Sequence, residues 1–600
     1  MRNLSRKILS IMLSFAMVIS LASIAVMPAS ALAEDTTETA AVKSVSLQAP
    51  DDTGAGSGPA AGNIQAPAKA KGVAALPGAP SATTTSTLSS TPAGVIAPGD
   101  ICAIGTTGYT NLDDALATIT DNTHTTIKLL TDITDDIGCV ITDRTITFDL
   151  NGKNLIFEGF GVTGLHLENS NIDYINPGTL QAKSDNDDAL YIYGGSCELT
   201  SAEITGSGYD AVGAGGGAVV TVNGNVKASG DDNWGVNMGE GSKVTVNGNI
   251  SVENGNGINI SDSGSSVTVK GNITAGDLGG DNYNAIYAED HVTVKVTGNI
   301  KETGNGDAAV WAGTNVKATI TGNVTASGDS ADALDASDNS TVKVTGNLSA
   351  TGSGSWGVYA DPGAAVTITG NITASFVGIA AMDTGTSVIV NGNVKTTEDG
   401  SAGVVCIDEA TVTINGNVTA QGDGSLGVLA VKGQFGAGVA HVTGNVNVPG
   451  AGSIGAEISG APGEQITIDG LINTADEVDG YVMVNQTPMA KADGVASTQK
   501  AGYMAYTQGV EGTDGTVWVG NKVPPVPTPT PTPTPTPKPT PKPKPTPKPK
   551  PLNVPLSGLP ATGDHGIPFT GIAIGLMVAV GISGLALIDE RRFSRIIVRK

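Results

Sequence analysis

Apolar and polar residues alternate in short runs through the middle of the chain, and the runs repeat. The stretch VTVNGNV at 220–226 returns as VTVNGNI, VTVKGNI, VKVTGNI, ATITGNV, VKVTGNL, VTITGNI, VIVNGNV, VTINGNV and AHVTGNV. The second asparagine of each copy falls at Asn225, Asn249, Asn272, Asn299, Asn323, Asn347, Asn371, Asn393, Asn417 and Asn445, at intervals of 22 to 28 residues. Alternation within each copy predicts a half-buried strand. A near-constant period of this length predicts stacked repeats of one unit. No copy carries a helical spacing, which excludes helical and leucine-rich repeats.

A second strand precedes each copy and reads small–aliphatic–variable–aliphatic, as in GVNM, GINI, AIYA, AVWA, ALDA and GVYA. Its first aliphatic positions include Val236, Ile258, Ile286, Val310, Leu334, Val358, Ile379, Val404 and Val428, and the pattern extends to Leu165, Leu190 and Val212 upstream and Ala456 downstream. This predicts an all-β chain, a parallel β-helix of about thirteen coils over 101–520. The aliphatics must face inward and the variable residue outward. The outward column then reads His166, Tyr191, Gly213, Asn237, Asn259, Tyr287, Trp311, Asp335, Tyr359, Ala380, Val405, Leu429 and Glu457, with Trp234 and Trp356 just before it.

The Gly-Asn pair in each repeat predicts a corner. Glycine accepts positive φ, asparagine tolerates it, and asparagines stacked at about 4.8 Å can form a hydrogen-bonded ladder. The open end of a solenoid needs a cover. TNLDDALATI at 110–119 places Leu112, Ala115, Leu116 and Ile119 on one helical stripe, with Thr110 and Asp113 spaced as a capping box. GYMAYTQG and GTVWVG are the expected closing strands at the other end. Of the four cysteines, Cys406 takes an inward position, and Cys102 and Cys139 are close enough in sequence for a bridge or for two free thiols.

The ends of the chain have a different character. Arg2, Arg6 and Lys7 precede an apolar run at 8–26 and ALA at 31–33, which predicts a signal peptide over 1–33. Residues 34–100, rich in Ala, Thr, Ser and Pro, predict a disordered linker. At 521–558 proline alternates with threonine or lysine, predicting an extended polyproline stalk of roughly 90 Å. Lys538, Lys542, Lys544, Lys548 and Lys550 make it basic in a chain of net charge −25. That acidity, with no basic face evident, argues against a nucleic-acid partner. The sequence carries no metal-ligand spacing and calls for no cofactor.

Two resemblances follow. LPATG, formed by Leu559, Pro560, Ala561, Thr562 and Gly563, is followed by an apolar run at 567–588 and a basic tail with Arg591, Arg592, Arg595, Arg599 and Lys600. The run is long enough for a transmembrane helix, with its basic end cytoplasmic. Motif, span and tail in this order over 559–600 resemble the sorting signal of Gram-positive LPXTG-type cell-wall-anchored proteins. The resemblance implies cleavage between Thr562 and Gly563 by a sortase, transient membrane insertion, and covalent transfer to peptidoglycan. Secondly, TNLDDALATI with TIKLLTDI and ITFDLNGKNL resembles the pectate-lyase-like right-handed β-helix domains of bacterial surface proteins.

The outward column supplies the candidate chemistry. Tyr287, Trp311, Asp335 and Tyr359 are consecutive in it. Aromatic faces suit sugar rings and the carboxylate suits their hydroxyls, so these residues form a candidate glycan site. The alternative is that large side chains only stack and stiffen the sheet. Asp329, Asp332, Asp335 and Asp338 offer carboxylates for hydrolysis, but Arg144 is the solenoid's one arginine and no outward lysine accompanies the acidic cluster on its strand, so enzyme activity is the weaker expectation. The expected function is a wall-anchored adhesin or glycan-binding protein, alternatively a passive elongated surface structure or a polysaccharide lyase or hydrolase.

Overall fold

The structure, a computed structural model, describes residues 95–120, 123–276, 283–306, 308–460 and 462–521. The expected signal peptide, most of the linker, the stalk, the sorting motif and the apolar run at 567–588 lie outside them. Among the described residues no helix is long and apolar enough to cross a membrane.

One coil shows the plan. Trp356–Ala360, Ala365–Thr369 and Ile372–Ala374 form three strands joined by tight turns, and the next coil repeats them. Each strand pairs in parallel with its counterpart one coil later, so Val358 meets Ile379, Ile368 meets Val390, and Ile372 meets Val394. The third strands make a separate 15-stranded sheet, and the first and second make a 34-stranded sheet. The latter are joined because Leu165–Ile175 and Leu190–Leu199 each run through both faces. Gly194 and Gly195, at φ +73° and +76°, let the chain bend there without ending the strand.

The chain is therefore a parallel β-solenoid of about fifteen turns, slightly more than the thirteen read from the sequence. The difference lies chiefly at the start. The opening coils use Ile133–Asp135 and Asn154–Gly159, whose neighbours lack the small–aliphatic signature. The inward assignment holds: Val310, Leu334, Val358 and Ile379 are all buried. Aliphatics from successive coils stack into one continuous core, and each coil can bury its apolar side only against its neighbours.

The Gly-Asn corner forms the expected asparagine ladder, without the positive φ expected of asparagine. None of the ten repeat asparagines has positive φ. In the ladder their side chains act as acceptors: the backbone N–H of Asn347 donates to Oδ1 of Asn323 at 2.9 Å, that of Asn371 to Asn347 at 2.8 Å, and so on along the column. The glycine takes the expected positive φ at Gly298, Gly322, Gly346 and Gly370, and is also fixed by close approach. A Cβ on Gly322 would stand 2.0 Å from the carbonyl oxygen of Gly298 one coil away.

The N-terminal cap is the helix Leu112–Ala117, with Leu112, Ala115 and Ile119 buried against the first coil. Its N-cap is Asn111 rather than Thr110, because Asn111 Oδ1 accepts the Asp113 N–H at 2.7 Å. At the other end Tyr503–Tyr506 pairs antiparallel with Thr516–Gly520, and buried Trp518 and Tyr506 fill the last coil. Cys102, Cys139, Cys197 and Cys406 are all free buried thiols. The Cys102–Cys139 bridge is absent, and both side chains serve as small apolar core groups.

Candidate functional site

The outward column of the first strand is continuous. Register pairs His166 with Tyr191, Tyr191 with Gly213, Gly213 with Asn237, and Asn237 with Asn259. It continues through Tyr287, Trp311, Asp335 and Tyr359, which occupy successive coils as expected. Ala380, Val405, Leu429 and Glu457 complete it.

The rings are arranged for one another. Tyr287 and Trp311 stack with centroids 4.4 Å apart and planes 7° from parallel. Each lies along its own strand: the indole reaches over Gly313, where a Cβ would meet it at 2.6 Å, and the Tyr287 hydroxyl donates to Glu289 at 2.8 Å. One face of each ring is thus taken by the other. Tyr359 packs tilted against Trp356, centroids 5.6 Å apart. Asp335, between Trp311 and Tyr359, is only 5 % exposed. The four expected residues are brought together, with two rings half-buried in a stack and the carboxylate set down between coils. Beyond Tyr359 the face is apolar: Val377, Ala380, Ala402, Val405, Leu426 and Leu429 form a cluster separate from the inner core.

A second constellation lies nearer the N-terminus. Gly213 leaves a gap in the column between the Tyr191 ring and Asn237. A Cβ there would stand 3.4 Å from Tyr191 Cδ2, 3.4 Å from Asp210 Oδ2 and 3.6 Å from Asp188 Oδ2. Both carboxyl groups therefore border one small notch. Asn237 Nδ2 donates to Asp210 at 2.8 Å, and Asn259 Nδ2 donates to Asn237 Oδ1 at 3.0 Å, which fixes the amides. Trp234 stands one coil beyond Asp210, and its indole N–H has no hydrogen-bond partner among the described residues. Burial raises both carboxyl pKa values, and the charge of Asp188 raises Asp210 further, so the pair retains a proton well above the usual carboxylate range. The notch thus places two buried carboxyl groups beside the Tyr191 ring.

The sequence pattern flagged Trp234 but not Asp188 and Asp210. They stand three residues before the outward column position, on the opposite side of the two inward residues. Comparing that offset coil by coil, where it reads Asp188, Asp210, Trp234, Asn256, Asn284, Ala308, Asp332 and Trp356, would have found them.

Among the described residues no group of three or more His, Cys, Asp or Glu side chains is placed to hold a metal ion. A cavity of about 360 Å³ lies beside the capping helix, lined by Asp113, Leu116, Cys139 and Arg144, away from the aromatic run. The residues of the sorting motif, Leu559 to Gly563, lie outside the described residues. No known protein family, curated protein or solved structure matches the chain.

Glu457, at the far end of the column, gives a pH signature. Burial alone pushes its pKa from the ordinary 4.5 up to about 7. A carboxyl held above its unfolded value binds more protons when folded, so stability falls as pH rises through that window. The expected loss is on the order of 3 kcal/mol from this group. Thermal melts should therefore show a lower midpoint at about pH 8 than at about pH 5, and Glu457→Gln should flatten that slope. An unchanged slope in the variant would contradict the assignment.

Proposed function

We propose that this chain is a cell-wall-anchored surface protein whose solenoid displays a glycan-binding face. The observation that carries the reading is the notch at Gly213. The carboxyl groups of Asp188 and Asp210 and the ring of Tyr191 lie within 3.6 Å of where a Gly213 Cβ would stand, and the Asn237 amide, one coil on, is bonded to Asp210. Sugar hydroxyls would bond to Asp188, Asp210 and Asn237, with ring C–H groups against Tyr191 and Trp234. Tyr287, Trp311, Asp335 and Tyr359 extend the same face by further coils, so a linear oligosaccharide lying along the axis would meet both.

Anchoring rests on the sequence at the C-terminus, where Leu559, Pro560, Thr562, the apolar run and the basic tail support sortase-mediated attachment to peptidoglycan. In this reading the protein is secreted and ends on the Gram-positive wall, with a membrane-bound precursor. The coil geometry and the N-terminal helix support kinship with pectate-lyase-like β-helices, and fold alone does not carry activity over. A glycan array probed with the purified protein tests the binding claim. Retention of a defined family of neutral oligosaccharides is expected, and an array without a hit would overturn it. The Tyr287–Trp311 stack favours a second reading, a passive elongated structure stiffened by aromatic side chains.

A further inference from the structure

The second strands carry a feature that the net charge conceals. Strands Lys243–Val246, Ser266–Val269, Thr293–Thr297, Lys317–Thr321 and Thr341–Thr345 belong to successive coils, and each presents one lysine on the outer face: Lys243, Lys270 (just after its strand), Lys295, Lys317 and Lys343. All five are exposed. Register sets Lys295 beside Thr319 and Thr319 beside Lys343, with Lys317 two residues aside in the middle coil. No carboxylate occurs in these five strands, and none of the five lysines pairs with a carboxylate among the described residues. Threonine fills most other outward positions, including Thr245, Thr268, Thr297, Thr321 and Thr345. The lysines are staggered across the strands, with Lys243 and Lys317 at one register position, Lys295 and Lys343 two residues on and Lys270 two residues further, and the turns leading into the strands carry Glu240, Asp262, Asp290 and Asp338, which bound the positive patch along one edge.

We infer that this strip is a docking surface for a linear polysaccharide bearing about one anionic group, sulfate or carboxylate, per sugar ring. One lysine per coil repeats at about 4.8 Å along the axis, close to the advance of an extended glycan by one sugar ring. Thr hydroxyls between the lysines match the sugar hydroxyls between the charges. Nucleic acid fits less well: duplex DNA carries a charge every ~1.7 Å, and the five strands offer neither arginine nor an aromatic ring for base stacking. This inference does not rest on the acidic–aromatic face, which is built on different strands.

The test titrates chondroitin sulfate into the full-length protein, with neutral dextran and single-stranded DNA as comparisons. Chondroitin sulfate should bind, dextran should not, and affinity should fall steeply between 50 and 300 mM salt. The triple change Lys295→Gln, Lys317→Gln and Lys343→Gln should weaken binding at least tenfold and flatten the salt dependence. Its thermal melt should match the parent, because all three side chains are exposed. Trp311→Ala should leave this binding unchanged. Full affinity in the triple variant would overturn the inference and assign binding to the lysines at 538–550. Equal or tighter binding of single-stranded DNA would overturn the assigned partner.

Discussion

Leu334→Asp is expected to unfold the coils around it. Leu334 is fully buried, between Val310 and Val358 in the neighbouring coils. Its replacement loses roughly 1.5–3 kcal/mol of apolar burial, and an unpaired carboxylate in the core costs several kcal/mol more. Because a solenoid is held by nearest-neighbour contacts, the damage should spread to adjacent coils. Circular dichroism should show a lowered melt, and limited proteolysis should cut near residue 334. Thr319→Asp is the comparison. Thr319 is exposed, flanked by Lys295 and Lys343, so a carboxylate there meets solvent and two ammonium groups. A change within about 0.5 kcal/mol is expected for such a surface substitution. Equal damage from both variants would contradict the assignment of inside and outside.

Thr562→Ala is expected to abolish wall attachment. In the proposed sorting reaction the enzyme's thiolate attacks the Thr562 carbonyl and the Thr562–Gly563 peptide bond breaks. A peptidoglycan amine then takes the acyl group and releases the thiol. Without the threonine the motif is not read, and the uncleaved precursor should stay with the membrane through 567–588. Fractionation should move nearly all of the protein from the wall to the membrane. A variant still bound to peptidoglycan after hot detergent would contradict sortase anchoring.

The fold was legible because its signal is periodic. Alternation gave the strands, the interval gave the coil, and the invariant small and aliphatic positions gave the inner face. At the corner the asparagine ladder was legible, but its form was not: each asparagine side chain accepts the N–H of the next asparagine, and none takes positive φ. The adjoining glycine does take positive φ at Gly298, Gly322, Gly346 and Gly370, and the carbonyl stacked against it, which sequence could not show, also excludes any Cβ. The outward column was likewise legible, down to Tyr287, Trp311, Asp335 and Tyr359. Sequence could not show that Tyr287 and Trp311 would stack on one another, or that Asp335 would be buried between coils. Asp188 and Asp210 escaped notice because they stand at another offset and meet only between coils, where the Asp210 N–H donates to Asp188 Oδ1 at 2.8 Å. The lysine strip was hidden for a similar reason. Lys295 and Lys343 share one offset, whereas Lys243, Lys270 and Lys317 occupy others, and only the register puts all five on one face.

Calorimetric titration of an array-selected oligosaccharide into the parent protein, Trp311→Ala and Tyr359→Ala, with melts recorded alongside, tests the central claim most directly. Losing a well-packed aromatic from a binding site costs about 2 kcal/mol or more, near thirtyfold in affinity. The account predicts that each variant loses most of its binding while its melt stays near that of the parent. Unchanged affinity in both variants, or a melt that collapses in both, would contradict it, the latter in favour of aromatic side chains that only brace the solenoid.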